Sequence, residues 1–224
     1  MSLFFLQADI EPTVERQGLI DIIMQGGPLG IAIMVTLFVL SIIALYIFLE
    51  RYFTIQRAGR IDESFMNNVK TNVQAGNIDA ARALCQTTDS PVARLVDKGI
   101  QRIGKPLADI ESAIENVGNL EIFKLEKGLS TLASIAGAAP MIGFFGTVTG
   151  MILAFYKMAT AENISPEILA DGIYQALLTT AFGLFVGILA FIGYNILVSN
   201  VSKVMFKMEH STVEFMDLLQ EPSK

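Results

Sequence analysis

Three stretches of this chain carry no Asp, Glu, Lys, Arg or His: residues 22–49, 128–156 and 172–202, which are 28, 29 and 31 residues long. About 20 apolar residues in a helix cross the roughly 30 Å hydrocarbon core of a bilayer, so each stretch is long enough with a margin. No segment alternates apolar and polar residues as a half-buried strand does. The expected fold class is therefore all-α, a polytopic membrane protein with three transmembrane helices. Charged residues make up only 17% of the chain against 52% hydrophobic, where a soluble domain averages about 25% charged. The missing charge is missing from these three stretches, which excludes an ordinary soluble enzyme and a disordered chain. The net charge of -6 argues against a nucleic-acid partner, because phosphate binding needs a basic patch.

Catalytic and metal chemistry have little to work with. Cys85 is the single cysteine and His210 the single histidine, so neither a disulfide nor a Cys/His metal cluster is expected. No Ser/His/Asp or Cys/His set falls at membrane depth, and the expectation is a non-enzyme with no cofactor and no metal. The first residues, 1–7, have an apolar run without a basic region or a small-residue cleavage site, so no secretory signal is read there.

Flanking charge sets orientation, because Lys and Arg collect on the cytoplasmic side. Asp9, Glu11, Glu15 and Asp21 precede the first span with Arg16 alone opposing them; Arg51, Arg57 and Arg60 follow it. Lys124 and Lys127 precede the second span, Lys203 and Lys207 follow the third, and the short connection between them holds Glu162, Glu167 and Asp171 beside Lys157. All four segments agree on N-terminus out and C-terminus in.

The inner segment, 50–127, balances 11 acidic against 11 basic residues. Apolar residues recur there at helical spacing, as at Ile61, Phe65, Val69 and Val73, with stops at Gly76-Asn77, Asp89-Ser90-Pro91 and Gly104-Lys105-Pro106. These predict a bundle of helices extending from the spans. From Leu107 onward no Pro or turn cluster intervenes before Pro140, so the pattern predicts one helix running from Leu107 into the membrane as far as Tyr156. Ser165 is placed to cap the third span, with Pro166 in its first turn. Beyond Ser202 the pattern persists, with Val204, Met208, Phe215 and Leu219 on one face; residues 221–224 look frayed.

The three spans differ in character. The first is bulky and aliphatic, which suits a helix facing lipid. The second and third are rich in Gly and hydroxyl residues, and each holds one G-x-x-x-G, at Gly146/Gly150 and Gly183/Gly187. Lipid gives helices no hydrophobic drive to associate, so small residues and hydroxyls mark contact surfaces. Gly143, Thr147, Gly150 and Ala154 form one stripe; Ala176, Thr180, Gly183 and Gly187 form another. Two readings stand. In one, the glycines permit close packing and each Thr bonds its own backbone. In the other, the stripes, with Gln175, line a polar lumen in an oligomer.

The run APMIGFFGTVTGMILAF at Ala139–Phe155, the run GIYQALLTTAFGL at Gly172–Leu184 and the ERYF at Glu50–Phe53 resemble the MotA/TolQ/ExbB proton-channel family, closest in layout to ExbB. The resemblance implies a periplasmic arm and interfacial helix over 1–27, transmembrane helix 1 over 28–49 and a cytoplasmic helical domain over 50–127. Transmembrane helix 2 then covers 128–157, a periplasmic loop 158–170, transmembrane helix 3 171–199 and a cytoplasmic tail helix 200–224. It also implies a homopentamer around a dimer of a one-span ExbD- or TolR-type partner in the bacterial inner membrane. Such a stator, embedded in membrane lipid, converts proton-motive force into motion, in the ExbB case through a TonB-type protein that serves the outer membrane. Thr147 and Thr180 match that family's pore-facing threonines, and Gln175, Gly143, Gly150, Ala176, Gly183 and Gly187 complete the expected pore lining. Related chains commonly have Glu at the position of Gln175, so no proton relay is assigned to it. None of the spans holds a carboxylate, a histidine or a basic residue, and proton relays are built from such groups. The titrating acid is therefore expected from the partner.

Overall fold

The computed structural model describes residues 27–60, 63–160 and 166–220, and for residues 63, 167 and 168 the backbone alone. The expected N-terminal arm before Gly27, the Ser165 cap and the frayed end at 221–224 lie outside the described residues. Those described form seven helices: α1 Gly27–Ala58, α2 Glu63–Gln74, α3 Ile78–Thr87, α4 Pro91–Ile100, α5 Leu107–Glu126, α6 Leu129–Thr160 and α7 Pro166–Gln220. Three helical stretches are long and apolar enough to cross a membrane, in α1, α6 and α7. The chain is an all-α, multi-pass membrane protein.

Local chemistry sets the ends of the short helices. Asn77 caps α3, its side chain accepting from the Ala80 amide at 3.3 Å. Ser90, 1% exposed, caps α4 through the Ala93 amide at 3.1 Å, with Pro91 in the first turn where its missing N–H costs nothing. The membrane helices pack as an unequal trio. α6 and α7 are antiparallel and in extensive contact, while α1 lies against both. α1 runs parallel to α7 in constant register, since Gly30 meets Gln175, Gly193 meets Phe48 and Gly59 meets Val204.

One expectation fails. The helix predicted from Leu107 to Tyr156 is two helices, broken at Lys127-Gly128, where Gly128 takes φ +84°. That left-handed conformation is open to glycine at little steric cost, and it ends a helix without any proline. Gly128 then starts α6 by accepting from the Leu132 amide at 3.1 Å. Arg51 secures the joint: its Nη1 donates to the Lys124 carbonyl at 3.2 Å, satisfying an otherwise orphaned acceptor at the end of α5.

By contrast α7 is a single helix of 55 residues, about 82 Å at 1.5 Å per residue. Its far half enters the core built by α3, α4 and α5. Phe215 is fully buried there with Val92, Val96 and Ile114, and its ring lies on Gly99 so closely that a methyl group on Gly99 would overlap it. The α7 tail is thus a member of the extramembrane core rather than an appendage.

Candidate functional site

The two small-residue stripes meet each other within one subunit. A methyl group on Gly183 would stand 2.7 Å from the Ala139 carbonyl and 2.9 Å from the Gly143 Cα. One on Gly143 would stand 2.9 Å from the Thr179 carbonyl, and one on Gly150 would stand 3.0 Å from the Ala176 Cβ. Real Cβ atoms do not tolerate such approaches to backbone, so glycine is required for α6 and α7 to lie this close. Gly187 fits against the Pro140 ring and beside the Ala136 carbonyl. That carbonyl has lost its helical donor, because Pro140 has no N–H.

The two threonines behave differently. Thr180 donates its hydroxyl across the seam to the Gly143 carbonyl at 2.9 Å. Thr147 donates within its own helix, to the Phe144 carbonyl at 2.6 Å. It borders an open groove on the outer face of α6 with Val148, Met151 and Phe155. Each hydroxyl spends its one proton on a carbonyl and keeps lone pairs free to accept from water or from a protonated acid.

Gln175 is placed apart from both. At 3.6 residues per turn it sits about 140° around α7 from Thr180, and its amide packs beside Gly30 of α1. Its Nε2 is buried and has no hydrogen-bond partner among the described residues. The amide borders a partly open cavity of about 460 Å³ lined by all three membrane helices, with Gly30, Gly146, Thr149, Gly150 and Ala176 in its wall. Sequence grouping put Gln175 with the threonines; the structure puts it on the far side of the seam. Thr179, one of the third span's hydroxyls that the sequence places in neither stripe, is 2% exposed and its hydroxyl bonds the Ala176 carbonyl at 2.7 Å. Its adjacency to Thr180 was the available signal.

Ion pairs cluster at the end of α1 and in the helices between α1 and α6. Glu50 and Arg51 close the apolar run of α1 with paired contacts of 2.8 Å. Below them Glu121, 3% exposed, accepts from Arg94 at 2.7 Å and from Lys124 at 2.7 Å. Burial alone would raise the Glu121 carboxyl, but hydrogen bonds and charge from Arg94 and Lys124 outweigh it and hold the group below its ordinary value. The Arg94 guanidinium, also bonded to Asp89 at 2.8 Å, is pushed up despite partial burial. Cys85 is buried, and desolvation, aided by Asp97, pushes its thiol up to about 12; such a thiol is inert.

Fold and seam together define a polytopic helical membrane protein whose second and third spans pack closely through glycine, with hydroxyls beside the contact. Comparison with known proteins makes the class specific. Residues 87–210 match the MotA/TolQ/ExbB proton channel family, and the chain belongs to that family. It is 30% identical over 161 residues to a putative biopolymer transport protein ExbB homolog of Methanothermobacter thermautotrophicus, covering 72% of this chain and 54% of that protein. It is 27% identical over 174 residues to the Tol-Pal system protein TolQ of Pseudomonas aeruginosa, covering 73% and 75%. It is also 27% identical over 187 residues to the biopolymer transport protein ExbB of Neisseria meningitidis, covering 77% and 83%. The chain thus spans about half the length of the first of these relatives and more of the other two.

Proposed function

We propose that this chain is an ExbB-like stator subunit of a motor driven by proton-motive force. It sits in the inner membrane of a bacterium with its N-terminus out, and five copies enclose a dimer of a one-span ExbD-type partner. Through a TonB-type protein the assembly energises transport at the outer membrane. The observation that carries this reading is the lack of any carboxylate, histidine or basic residue across three membrane-length stretches, in a member of a proton channel family. A wall with no group able to change charge near neutral pH must take its acid from the helix it encloses.

In this proposal Thr147 and Thr180 offer hydroxyl oxygens to the lumen. Gly143, Gly150, Ala176, Gly183 and Gly187 hold the two lining helices at the spacing that makes the wall. Gln175 supplies an uncharged donor to the cavity on the α1 side of that wall. One elementary charge crossing 100 mV releases about 2.3 kcal/mol, enough to bias two arrangements of similar energy.

The test is to purify the assembled complex and change the partner's intramembrane acid to its amide. Proton-coupled work should vanish; undiminished work would overturn the proposal. A TolQ-type stator is the second reading, favoured by the 27% identity to TolQ over 174 residues. The identity of the one-span partner that co-purifies with the chain separates the two.

A further inference from the structure

The seam between α1 and α7 carries a groove with two chemically distinct halves. At membrane depth it is an apolar cavity of about 280 Å³, bordered by Leu45, Phe48, Leu189, Ile192 and Ile196. One turn further along both helices a second cavity opens, of about 340 Å³, bordered by Tyr52, Gln56, Arg60, Asn200, Lys203 and Lys207. Helical spacing puts both halves on the same side of the seam. Leu45, Phe48, Tyr52 and Gln56 follow one another at three or four residues on α1, as do Ile192, Ile196, Asn200, Lys203 and Lys207 on α7.

Among the described residues the second cavity holds three cations and no acid. Lys207 donates to the Gly59 carbonyl at 2.7 Å, closing the end of α1, and keeps two donors free. Neither Arg60 nor Lys203 forms an ion pair among the described residues. This concentration of positive charge stands out in a chain of net charge -6. Tyr52 and Gln56 lie about 5–10 Å beyond Leu49 along the axis, where a headgroup layer begins, and long Lys and Arg side chains reach back toward such a layer.

We propose that this groove binds an anionic phospholipid. Its acyl chain lies along Leu45, Phe48 and Ile192, and its phosphate is held by Arg60, Lys203 and the free donors of Lys207. A basic pocket between membrane helices, continuous with an apolar groove, matches the shape and charge of such a lipid. A free phosphate would leave the apolar half unfilled, and a zwitterionic lipid would bring its own cation to three others. The inference stands apart from the stator reading, since it requires only that α1 and α7 span a bilayer.

The experiment is native mass spectrometry of the full chain in dodecyl maltoside, mixed with dioleoylphosphatidylglycerol or dioleoylphosphatidylcholine. The wild type should retain the anionic lipid at least tenfold better, and the double variant R60Q/K203Q should fall to the level of the zwitterionic one. Both residues are exposed, so the fold is left intact, and Lys207 is spared because it closes α1. The control K98Q/R102Q, outside the groove, should bind as the wild type does. Dihexanoylphosphatidylglycerol, with the same headgroup and short tails, should bind markedly more weakly. Equal retention of the two long-chain lipids, or full retention by R60Q/K203Q, would overturn the site. Displacement of the anionic lipid by 10 mM inorganic phosphate would overturn its lipid character.

Discussion

The hydroxyl of Thr180 reaches across the α6–α7 seam to the carbonyl of Gly143 at 2.9 Å, and a side chain on residue 143 would stand 3.1 Å from the Thr180 Cα. Gly143 therefore allows the approach and Thr180 fixes it. Buried hydrogen bonds between membrane helices are worth about 0.6 kcal/mol on average. T180V keeps the shape and should lower stability by about that amount in an SDS titration followed by circular dichroism, whereas T180S should match the wild type. In the assembled complex T180V should cut proton-coupled work by more than a 0.6 kcal/mol loss explains. Wild-type work in T180V would leave the hydroxyl with a packing role alone.

Glycine at 183 is a steric requirement, because the three nearest atoms that a methyl group would meet are backbone and cannot swing away. Overpacking of this kind costs about 1–3 kcal/mol. G183A should weaken the α6–α7 pair by that amount. G137A is the matched control, since a methyl group there has nothing within 4 Å. Equal stability of the two variants would show that the seam yields more easily than its geometry implies.

Glu121 makes stability depend on acid. Its folded value lies below the unfolded one of about 4.5, owing to Arg94 and Lys124 prevailing over burial. Its contribution is therefore complete above about pH 4.5 and is lost as the pH falls through the lower folded value. Hydrogen bonds to charged groups are worth about 1.5–3 kcal/mol, so E121Q should be less stable than the wild type by about 1–3 kcal/mol at pH 7. The gap should close in stronger acid. Parallel melts of the two proteins across pH 3 to 7 check this, and a constant gap would remove the carboxylate from the account.

Cys85 gives a chemical readout of the same core. A thiol raised from 9.0 to about 12 holds about a thousandfold less thiolate at pH 8 than an ordinary one. Iodoacetamide should modify the native chain at least that much more slowly than the SDS-unfolded chain, as followed by intact mass. Rapid labelling of the native chain would mean that the α3–α4 core opens readily.

The spans were legible in the sequence because charge is excluded from lipid, and the caps at Asn77 and Ser90 because turn residues act locally. The break at Gly128 was not, since a lone glycine inside an apolar pattern has the same spacing whether the chain continues or turns. Arg51, which fastens that break, lies 73 residues from its acceptor. The stripes themselves were visible, but not their partner. Small residues serve a helix of the same chain and a helix of a neighbouring copy equally well. The placement of Gln175 needed only rotation about the helix axis, which separates it from Thr180 and joins it to Thr179.

The contrast between α7 and its antiparallel neighbour has a mechanical consequence. An unjointed rod some 80 Å long transmits twist applied at one end to the other, where the ring of Phe215 is keyed into the opposite core. Its companion is interrupted at Gly128, where an Arg51 hydrogen bond rather than a continuous helical ladder secures the end of α5.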